Sequence, residues 1–304
     1  MDLSNLLEMQ VMLVLLMALG LFLSEIGMID AAGRTLLTNL VINVLLPCSI
    51  VKSFLIDFDM ETLRSCLTIF VIAILIQIGT LLLGKILYPR YADRRKKVLQ
   101  YATICSNAGI LGNPVAEAAF GSMGLLYASI YLIPQRTFMW SFGLTYYTEC
   151  PSGKELAKKV ATHPCIIAAV LGLVLMITQW QLPGFVESTV ESLGSANTPI
   201  SMLLIGSILS GVKWREMIDR DSLYYCFVRL ILVPALVFLG CRLVGVEGLV
   251  MGVSVLLAAM PAASVTAVLA AKYEKDEAFA ARIVALSTIL SMATAPLWCV
   301  ILTL

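Results

Sequence analysis

Two stretches inside membrane-length apolar segments decide the fold: Ser106-Asn107-Ala108-Gly109-Ile110-Leu111-Gly112-Asn113-Pro114 and Ala258-Ala259-Met260-Pro261-Ala262-Ala263-Ser264. A proline removes one backbone hydrogen bond of a helix and clashes with the preceding turn, so we predict breaks near mid-bilayer at Pro114 and Pro261. Freed backbone groups in lipid need partners, so such breaks survive where they are buried in protein or line a wet cavity. Two broken helices at corresponding places in two half-chains indicate the binding site of a transporter.

The composition places nearly the whole chain in the bilayer. Its 304 residues are 60% hydrophobic and 13% charged, whereas ordinary soluble domains carry about 25% charged residues. The net charge of +1 gives no field that would attract nucleic acid. The N-terminal sequence Met1-Asp2-Leu3-Ser4-Asn5 lacks the basic region of a signal peptide, so the first apolar run is expected to stay in the membrane. We therefore predict an all-α, multi-pass protein of the cell membrane.

Apolar segments long enough to cross a bilayer, which takes about 20 helical residues, follow one another along the chain. Basic residues favour the cytoplasmic side. They concentrate after the third, fifth, seventh and ninth segments, so both termini are expected to be extracytoplasmic. Five spans per half require the second half to run inverted, which predicts a first repeat over 1–148, a cytoplasmic linker over 149–162 and a second repeat over 163–304. The ten predicted spans lie near 8–27, 34–54, 62–88, 98–120, 123–148, 163–181, 190–212, 221–243, 248–272 and 278–303.

The polar residues beside the two breaks are the candidate site. Glycines and the amides of Asn107 and Asn113 suit an unwound stretch. The two asparagines either contact a substrate, aided by the positive end of the half-helix after Pro114, or cap the broken backbone. At the second break the hydroxyls of Ser264 and Thr266 either contact substrate or bond back to their own helix.

Further candidates lie in other spans. Asn39 and Asn43 are four residues apart in the second span, hence on one helical face, which we expect to point inward. Ionisable groups at depth usually face a cavity or a partner. Arg136 either attracts an anionic substrate, pairs with Glu117 or reaches the lipid headgroups. Glu117 is also a candidate for proton coupling, and Arg229 is expected to be structural.

Enzymatic chemistry is not expected. An intramembrane enzyme needs a Ser/His pair, an acidic pair or a His cluster, and the chain has one histidine and no acidic pair at depth. Its eight cysteines contain no CxxC pair, so we expect no metal, disulfide framework or cofactor. A channel or a membrane sensor is the alternative from another class.

The chain resembles the auxin efflux carrier family in its short bacterial form. The resemblance covers essentially the whole chain, and its most specific motif is the stretch from Ser106 to Pro114. Softer matches are Leu40-Val41-Ile42-Asn43-Val44-Leu45-Leu46-Pro47-Cys48, Phe120-Gly121, Tyr127-Ala128-Ser129-Ile130-Tyr131 and His163-Pro164-Cys165-Ile166-Ile167-Ala168 with Gly172.

The resemblance implies ten transmembrane helices in two inverted five-helix repeats, with helices four and nine broken and crossing at Pro114 and Pro261. It implies a substrate pocket near Asn43, Asn107 and Asn113. It also implies efflux or exchange of a small organic anion by alternating access, often by a homodimer. The implied substrates are an auxin-like carboxylate or a dicarboxylate such as malate or malonate.

Two departures from the family bear on regulation and coupling. The long cytoplasmic loop of the plant carriers is absent. No acidic residue stands at the second break, where a sodium-coupled relative would be expected to supply one. A sodium- or proton-coupled symporter or antiporter of the bile-acid transporter type is the alternative, and proton coupling through Glu117 or plain uniport stays open.

Overall fold

The computed structural model describes residues 3–57, 59–147, 154, 158, 161–210 and 218–303. Within these ranges the chain is helical, and its only β-type pairing is an isolated bridge. The helices are α1 (Leu3–Glu25), α2 (Ala31–Leu40), α3 (Leu46–Phe54), α4 (Met60–Leu87), α5 (Asp93–Ile104), α6 (Asn113–Phe138), α7 (Pro164–Thr178), α8 (Gly184–Ser195), α9 (Asn197–Leu209), α10 (Arg220–Phe227), α11 (Val233–Leu243), α12 (Gly248–Ala258), α13 (Val265–Lys272) and α14 (Glu277–Thr303).

Six helical stretches of the described chain are long and apolar enough to cross a membrane. They are Ala31–Phe54, Met60–Leu87, Ala108–Phe138, Gly184–Leu209, Arg220–Leu243 and Glu277–Leu302, and the shorter apolar helices are Val11–Glu25, Pro164–Thr178 and Gly248–Ala258. The expectation of an all-α, multi-pass protein is confirmed at this level. Most of the predicted linker 149–162 lies outside the described residues.

Three prolines are accommodated without a break in the helix. Each is the second residue of a helix preceded by a five-residue π-turn: Pro47 after Val41–Leu45, Pro114 after Ala108–Gly112 and Pro234 after Val228–Leu232. In the first of these the Leu46 N–H donates to the Val41 carbonyl five residues back. A wider turn absorbs the irregularity that a proline introduces. The predicted break at Pro114 is therefore wrong; the helix is interrupted earlier, at residues 105–107.

A true change of direction occurs at Gly121, between the fourth and fifth predicted spans. This residue has φ 67° and ψ −160° inside α6. Such a conformation is readily available only to glycine. The prolines Pro134 and Pro296 lie inside α6 and α14 respectively.

The residues group into two compact units. The first unit comprises Met1–Leu67, Gly109–Ile130 and Ala161–Val212; the second comprises Thr68–Ala108, Tyr131–Val160 and Lys213–Leu304. Each unit therefore draws segments from both halves of the chain. The division into two inverted repeats stays a prediction.

In the first unit, α1 and α9 approach each other at backbone distance. A Cβ atom on Gly20 would lie 2.1 Å from the Leu203 carbonyl oxygen, and one on Gly206 would lie 1.9 Å from the Met17 carbonyl oxygen. Small residues at such contacts let membrane helices pack closely. The hydroxyls of Ser210 and Ser24 are 2.7 Å apart on the same pair of segments.

In the second unit, an aromatic core surrounds α5. The rings of Tyr88, Tyr101, Tyr225 and Phe279 are fully buried. The Tyr225 hydroxyl donates to the Ala102 carbonyl at 2.9 Å. This contact anchors the last turn of α5, immediately before the interruption.

Candidate functional site

The main-chain segments of two interrupted helices pair with each other in the second unit. Residues 105–107 follow α5, and residues 259–264 connect α12 to α13. The Asn107 N–H donates to the Pro261 carbonyl at 2.8 Å, and the Ala263 N–H donates to the Cys105 carbonyl at 3.0 Å. These two bonds form an antiparallel bridge between Ser106 and Ala262. We call this pairing the crossing.

The two segments pair because an extended segment cannot satisfy its own backbone N–H and C=O groups. A helix leaves its last carbonyls without intrahelical donors. An unsatisfied backbone group in hydrocarbon costs several kcal/mol. Ala258, Ala259, Met260 and Ala262 are fully buried and, except for Met260, small. These small side chains permit the close backbone approach seen at the crossing.

Arg229 joins the two helix ends that lead into the crossing. Its side chain is 2% exposed. Nε donates to the Met260 carbonyl at 2.9 Å, and Nη1 donates to the Thr103 carbonyl at 2.9 Å. The C-terminal end of a helix carries partial negative charge, which a cation stabilises. The guanidinium therefore neutralises the ends of α5 and α12 together, and the structural role predicted for Arg229 agrees with these contacts.

Two further side chains complete the hydrogen bonding of the crossing. The Gln135 Nε2 group donates to the Ser106 carbonyl at 2.9 Å and lies 2.7 Å from the Ser106 hydroxyl. The Ala262 N–H donates to the Ser287 hydroxyl at 3.2 Å. Each partner is buried. The backbone of the crossing is thus held by side chains from α6, α14 and the π-turn before α11.

Three polar side chains next to the crossing make no hydrogen bond to the part of the chain that the structure describes. They are Asn107, Ser264 and Thr266, and Thr266 is completely buried. Neither hydroxyl bonds back to its own helix, which was the alternative considered from sequence. Since α13 begins at Val265, the positive end of its dipole lies at these hydroxyls. Donors and a partial positive charge suit an anionic ligand.

In the first unit, Asn113 is the most unusual polar residue. It is fully buried, and neither its Oδ1 nor its Nδ2 atom has a partner within the described ranges. It therefore does not act there as a cap for broken backbone, the alternative left open by the sequence. A buried amide without partners costs about 1–3 kcal/mol. Such a cost is accepted where the group serves a ligand.

Glu117 and the start of α9 are linked in the first unit. Thr198 Oγ1 donates to Glu117 Oε2 at 3.0 Å. The adjacent Asn197 is fully buried; its Oδ1 accepts from the Ser201 hydroxyl at 3.3 Å, while its Nδ2 has no partner in the described chain. Pairing of Thr198 with Glu117 was not predicted. A role of Glu117 in proton coupling stays a prediction.

Two further candidates, Asn43 and Arg136, are at least partly exposed. Asn39 and Asn43 are exposed, and the Asn43 Nδ2 group donates to the Asn39 carbonyl of its own helix at 2.8 Å. The Asn43 amide is thus satisfied one turn back, and its place in a substrate pocket stays a prediction. Arg136 is partly exposed, with Nη1 4.0 Å from the Met139 sulfur and Nε lacking a partner among the described residues. Its attraction for an anion stays a prediction.

Sequence reasoning missed Gln135 and Ser287 as parts of the crossing. Gln135 stands between Pro134 and Arg136. A glutamine at depth in an apolar span is itself a signal, because its four hydrogen-bonding sites must be met within the protein. Ser287 carries no such signal, because one serine in α14 resembles any other.

Comparisons with known proteins identify the family. The sequence profile described as "Membrane transport protein" matches residues 6–160 and 148–299. An uncharacterized transporter from Methanothermobacter thermautotrophicus is 30% identical over 294 residues, which are 94% of this chain and 95% of the relative. An uncharacterized transporter from Methanocaldococcus jannaschii is 27% identical over 304 residues, 95% and 96% of the two chains. A candidate malonate transporter from Rhizobium meliloti is 22% identical over 203 residues, 64% and 63%.

The family profile and the two archaeal relatives span nearly the whole sequence. The protein belongs to the membrane transport protein family, that of the auxin efflux carriers.

Proposed function

We propose that this protein is a secondary carrier for a small organic anion, which it exports or exchanges by alternating access. The substrate class is a dicarboxylate such as malonate or malate, or an auxin-like monocarboxylate. Family membership supports transport, and the name of the Rhizobium meliloti relative supports a dicarboxylate. The proposed arrangement is ten helices in two inverted repeats, with both termini outside the cytoplasm and a homodimer as the assembly.

The single observation that carries the proposal is the crossing. Interrupted helices that meet at depth are a recurrent feature of secondary transporters, where half-helix ends face the substrate. Here the backbone of the crossing is satisfied by protein, while the side chains of Asn107, Ser264 and Thr266 have no hydrogen-bond partner within the described ranges. We propose that these three side chains contact the carboxylate. Asn113, in the first unit, is proposed as a separate substrate contact.

Sodium coupling at the crossing is disfavoured by Arg229. In sodium-coupled carriers, unwound carbonyls and half-helix C-termini coordinate the ion. Here the carbonyls of Met260 and Thr103 accept hydrogen bonds from a guanidinium instead. We therefore propose transport without sodium, and a pH gradient tests the remaining proton-coupled case.

The test is flux into proteoliposomes that contain the purified full chain. Radiolabelled malonate, malate and indole-acetate are supplied separately, with imposed sodium or proton gradients and with protein-free vesicles as the blank. We expect saturable uptake of one of these anions that does not change when sodium is replaced by potassium. Uptake of all three at the rate of the blank would contradict the proposal, and single-channel conductance would replace it with a channel.

A matched pair of variants tests the site. Thr266→Val and Thr288→Val each remove one buried hydroxyl while keeping the shape of the side chain. Thr288 Oγ1 donates to its own helix at Val284, 2.7 Å, whereas Thr266 Oγ1 has no partner in the described chain. A lost hydrogen bond to a charged group is worth about 1.5–3 kcal/mol, so we expect Thr266→Val to lower kcat/KM about 10- to 100-fold. Equal activity of the two variants would remove Thr266 from the site.

A further inference from the structure

A large cavity lies in the second unit, away from the crossing, where α4 ends and α5, α10 and α14 begin. Its volume is about 1240 Å³. Besides Arg95, its lining contains four basic side chains, those of Arg90, Arg94, Arg220 and Lys275. None of them has an ion-pair partner among the residues that the structure describes. The cavity is therefore a cluster of uncommitted positive charge.

The acidic residues of the cavity are mostly committed to another cation. Arg95 Nη1 is 2.7 Å from an Asp221 carboxylate oxygen, and Arg95 Nε is 2.9 Å from an Asp276 carboxylate oxygen. The Tyr91 hydroxyl donates to the same Asp221 at 3.2 Å. Arg95 thus neutralises one of these two carboxylates, and with Glu277 the lining holds five basic and three acidic groups, a net charge of +2. The four basic side chains retain an excess of positive charge.

Backbone dipoles add to this charge. The lining includes Ala92, which precedes α5, and the first residues of α10 and α14, Arg220 and Glu277. Ala92 provides no side-chain cap for α5. Each helix start carries about half a positive charge. The starts of α10 and α14 are capped by the carboxylates of Asp219 and Asp276, so the start of α5 is the one that adds to the attraction for an anion.

The remaining wall is apolar. Ile86 and Leu87, from the last turn of α4, and the ring of Tyr224 line the cavity beside the basic groups. Ile86 is 70% exposed. A soluble anion gains nothing from this surface, whereas a lipid places its headgroup on the cations and its chain along the apolar residues. Basic pockets of this kind at helix ends are suited to anionic headgroups.

We propose that this cavity binds the phosphate of an anionic phospholipid. Arg90, Arg94, Arg220 and Lys275 hold the headgroup, and Ile86 receives the start of an acyl chain. The Arg90–Lys97 segment and Lys275 belong to connections that the charge distribution predicts to be cytoplasmic. The proposal requires a lipid of the cytoplasmic leaflet, which agrees with this prediction. The Arg95 bridge to Asp221 and Asp276 keeps the three helix starts together around the ligand.

The test is lipid-dependent stabilisation of the purified full chain in a neutral detergent. The unfolding temperature is followed by tryptophan fluorescence during titration with phosphatidylglycerol, with phosphatidylcholine, and with inorganic phosphate or glycerol phosphate. A ligand that binds only the folded protein raises its apparent stability. We expect saturable stabilisation by phosphatidylglycerol and none by the other three additives.

Charge-matched variants locate the effect. The triple variant Arg90→Gln/Arg94→Gln/Arg220→Gln removes three charges from the lining, and Lys85→Gln/Lys96→Gln/Lys272→Gln removes three charges that do not line it. At about 1 kcal/mol per basic residue near an anionic lipid surface, the first variant should weaken the apparent affinity about 100-fold. The second should stay within about threefold of the parent, because its charges act only through a screened field.

Each other outcome overturns part or all of the proposal. Equal weakening in both triple variants would show a diffuse electrostatic effect and remove the site. Stabilisation by inorganic phosphate that disappears in the first variant would keep an anion site and reject the lipid. Stabilisation by phosphatidylcholine equal to that by phosphatidylglycerol would reject headgroup charge altogether. Because no transport is measured, the result is independent of the proposed carrier activity.

Discussion

The guanidinium of Arg229 donates from Nε to the Met260 carbonyl at 2.9 Å, just beyond the end of α12. The same side chain donates to the Thr103 carbonyl at the end of α5. One residue of the π-turn before α11 therefore fixes two half-helices. The Met260 carbonyl lies in the segment 259–264 and the Thr103 carbonyl in the last turn of α5, so one side chain ties together the two chain segments that meet at the crossing.

Replacement of Arg229 should destabilise the protein strongly. Arg229→Gln removes the charge and leaves at least one buried carbonyl without its donor, so we expect the free energy of unfolding to fall by about 3 kcal/mol. Arg229→Lys keeps a cation that can reach one of the two acceptors, so its free energy of unfolding should lie between those of the parent and Arg229→Gln. The measurement is denaturant unfolding in detergent. Arg242→Gln is the control, because Arg242 is half-exposed and its contact with Glu247 is long, at 3.8 Å. An equal loss of stability in both variants would refute the special role of Arg229.

Replacement of Asn113 should separate function from stability. Asn113→Leu substitutes an apolar side chain of similar size for a buried amide that has no partner in the described chain. Removal of an unsatisfied polar group is neutral or stabilising. We therefore expect an unchanged or higher unfolding temperature together with at least about tenfold lower transport, the value of one hydrogen bond to a charged substrate. A lower unfolding temperature with normal transport would instead indicate a structural role.

A glycine pair tests the contact between α1 and α9. A Cβ atom on Gly206 would meet the Met17 carbonyl oxygen at 1.9 Å, while a Cβ atom on Gly240 in α11 would meet nothing within 4 Å. Gly206→Ala should destabilise by about 1–3 kcal/mol through overpacking. Gly240→Ala should be neutral or stabilising by up to about 1 kcal/mol from helix propensity. Thermal unfolding of both variants gives the comparison, and equal effects would show that the two helices separate freely.

The pH dependence of stability should include a contribution from Asp219, which precedes α10. Partial burial opposes its ionisation, but hydrogen bonds from Ser222 and the charge of Arg282, 3.1 Å away, outweigh this and lower its pKa. A lowered pKa stabilises the folded state above the unfolded pKa of about 3.9, and the stabilisation is lost as the pH falls below that value. Asp219→Asn retains the helix cap. Its deficit in unfolding temperature at pH 7 should shrink towards pH 3; a constant deficit would contradict the assignment.

The sequence predicted the membrane class and the pair of interrupted helices, because hydropathy and backbone satisfaction are local properties. It misplaced the first interruption because a proline has two structural outcomes. Pro261 lies in the interrupted segment itself, whereas Pro114 follows a π-turn that absorbs its missing donor. The choice depends on whether another strand pairs with the open backbone, and the strand that pairs with Pro261 is 105–107.

The amide side chains of the candidate site could be identified from the sequence, whereas the hydrogen bonds that hold its backbone could not. Asn107 and Asn113 stand out from an apolar background, so the sequence singled them out. Their state of hydrogen bonding depends on packing, as the satisfied Asn43 and the unsatisfied Asn113 demonstrate. Gln135 and Arg229 stand out in apolar spans, but the carbonyls to which they donate lie far along the chain, and no local pattern reveals those partners.

The crossing also has a consequence for biosynthesis. Residues 105–107 are synthesised long before residues 261–263. The backbone N–H of Asn107 and the carbonyl of Cys105 therefore have no partner in Pro261 and Ala263 until the ninth predicted span has been synthesised. Gln135 and then Arg229 emerge in the interval and can protect the first strand in that order. A nascent chain that stops before α12 would therefore keep unpaired backbone groups of residues 105–107 in the hydrocarbon, at a cost of several kcal/mol for each group.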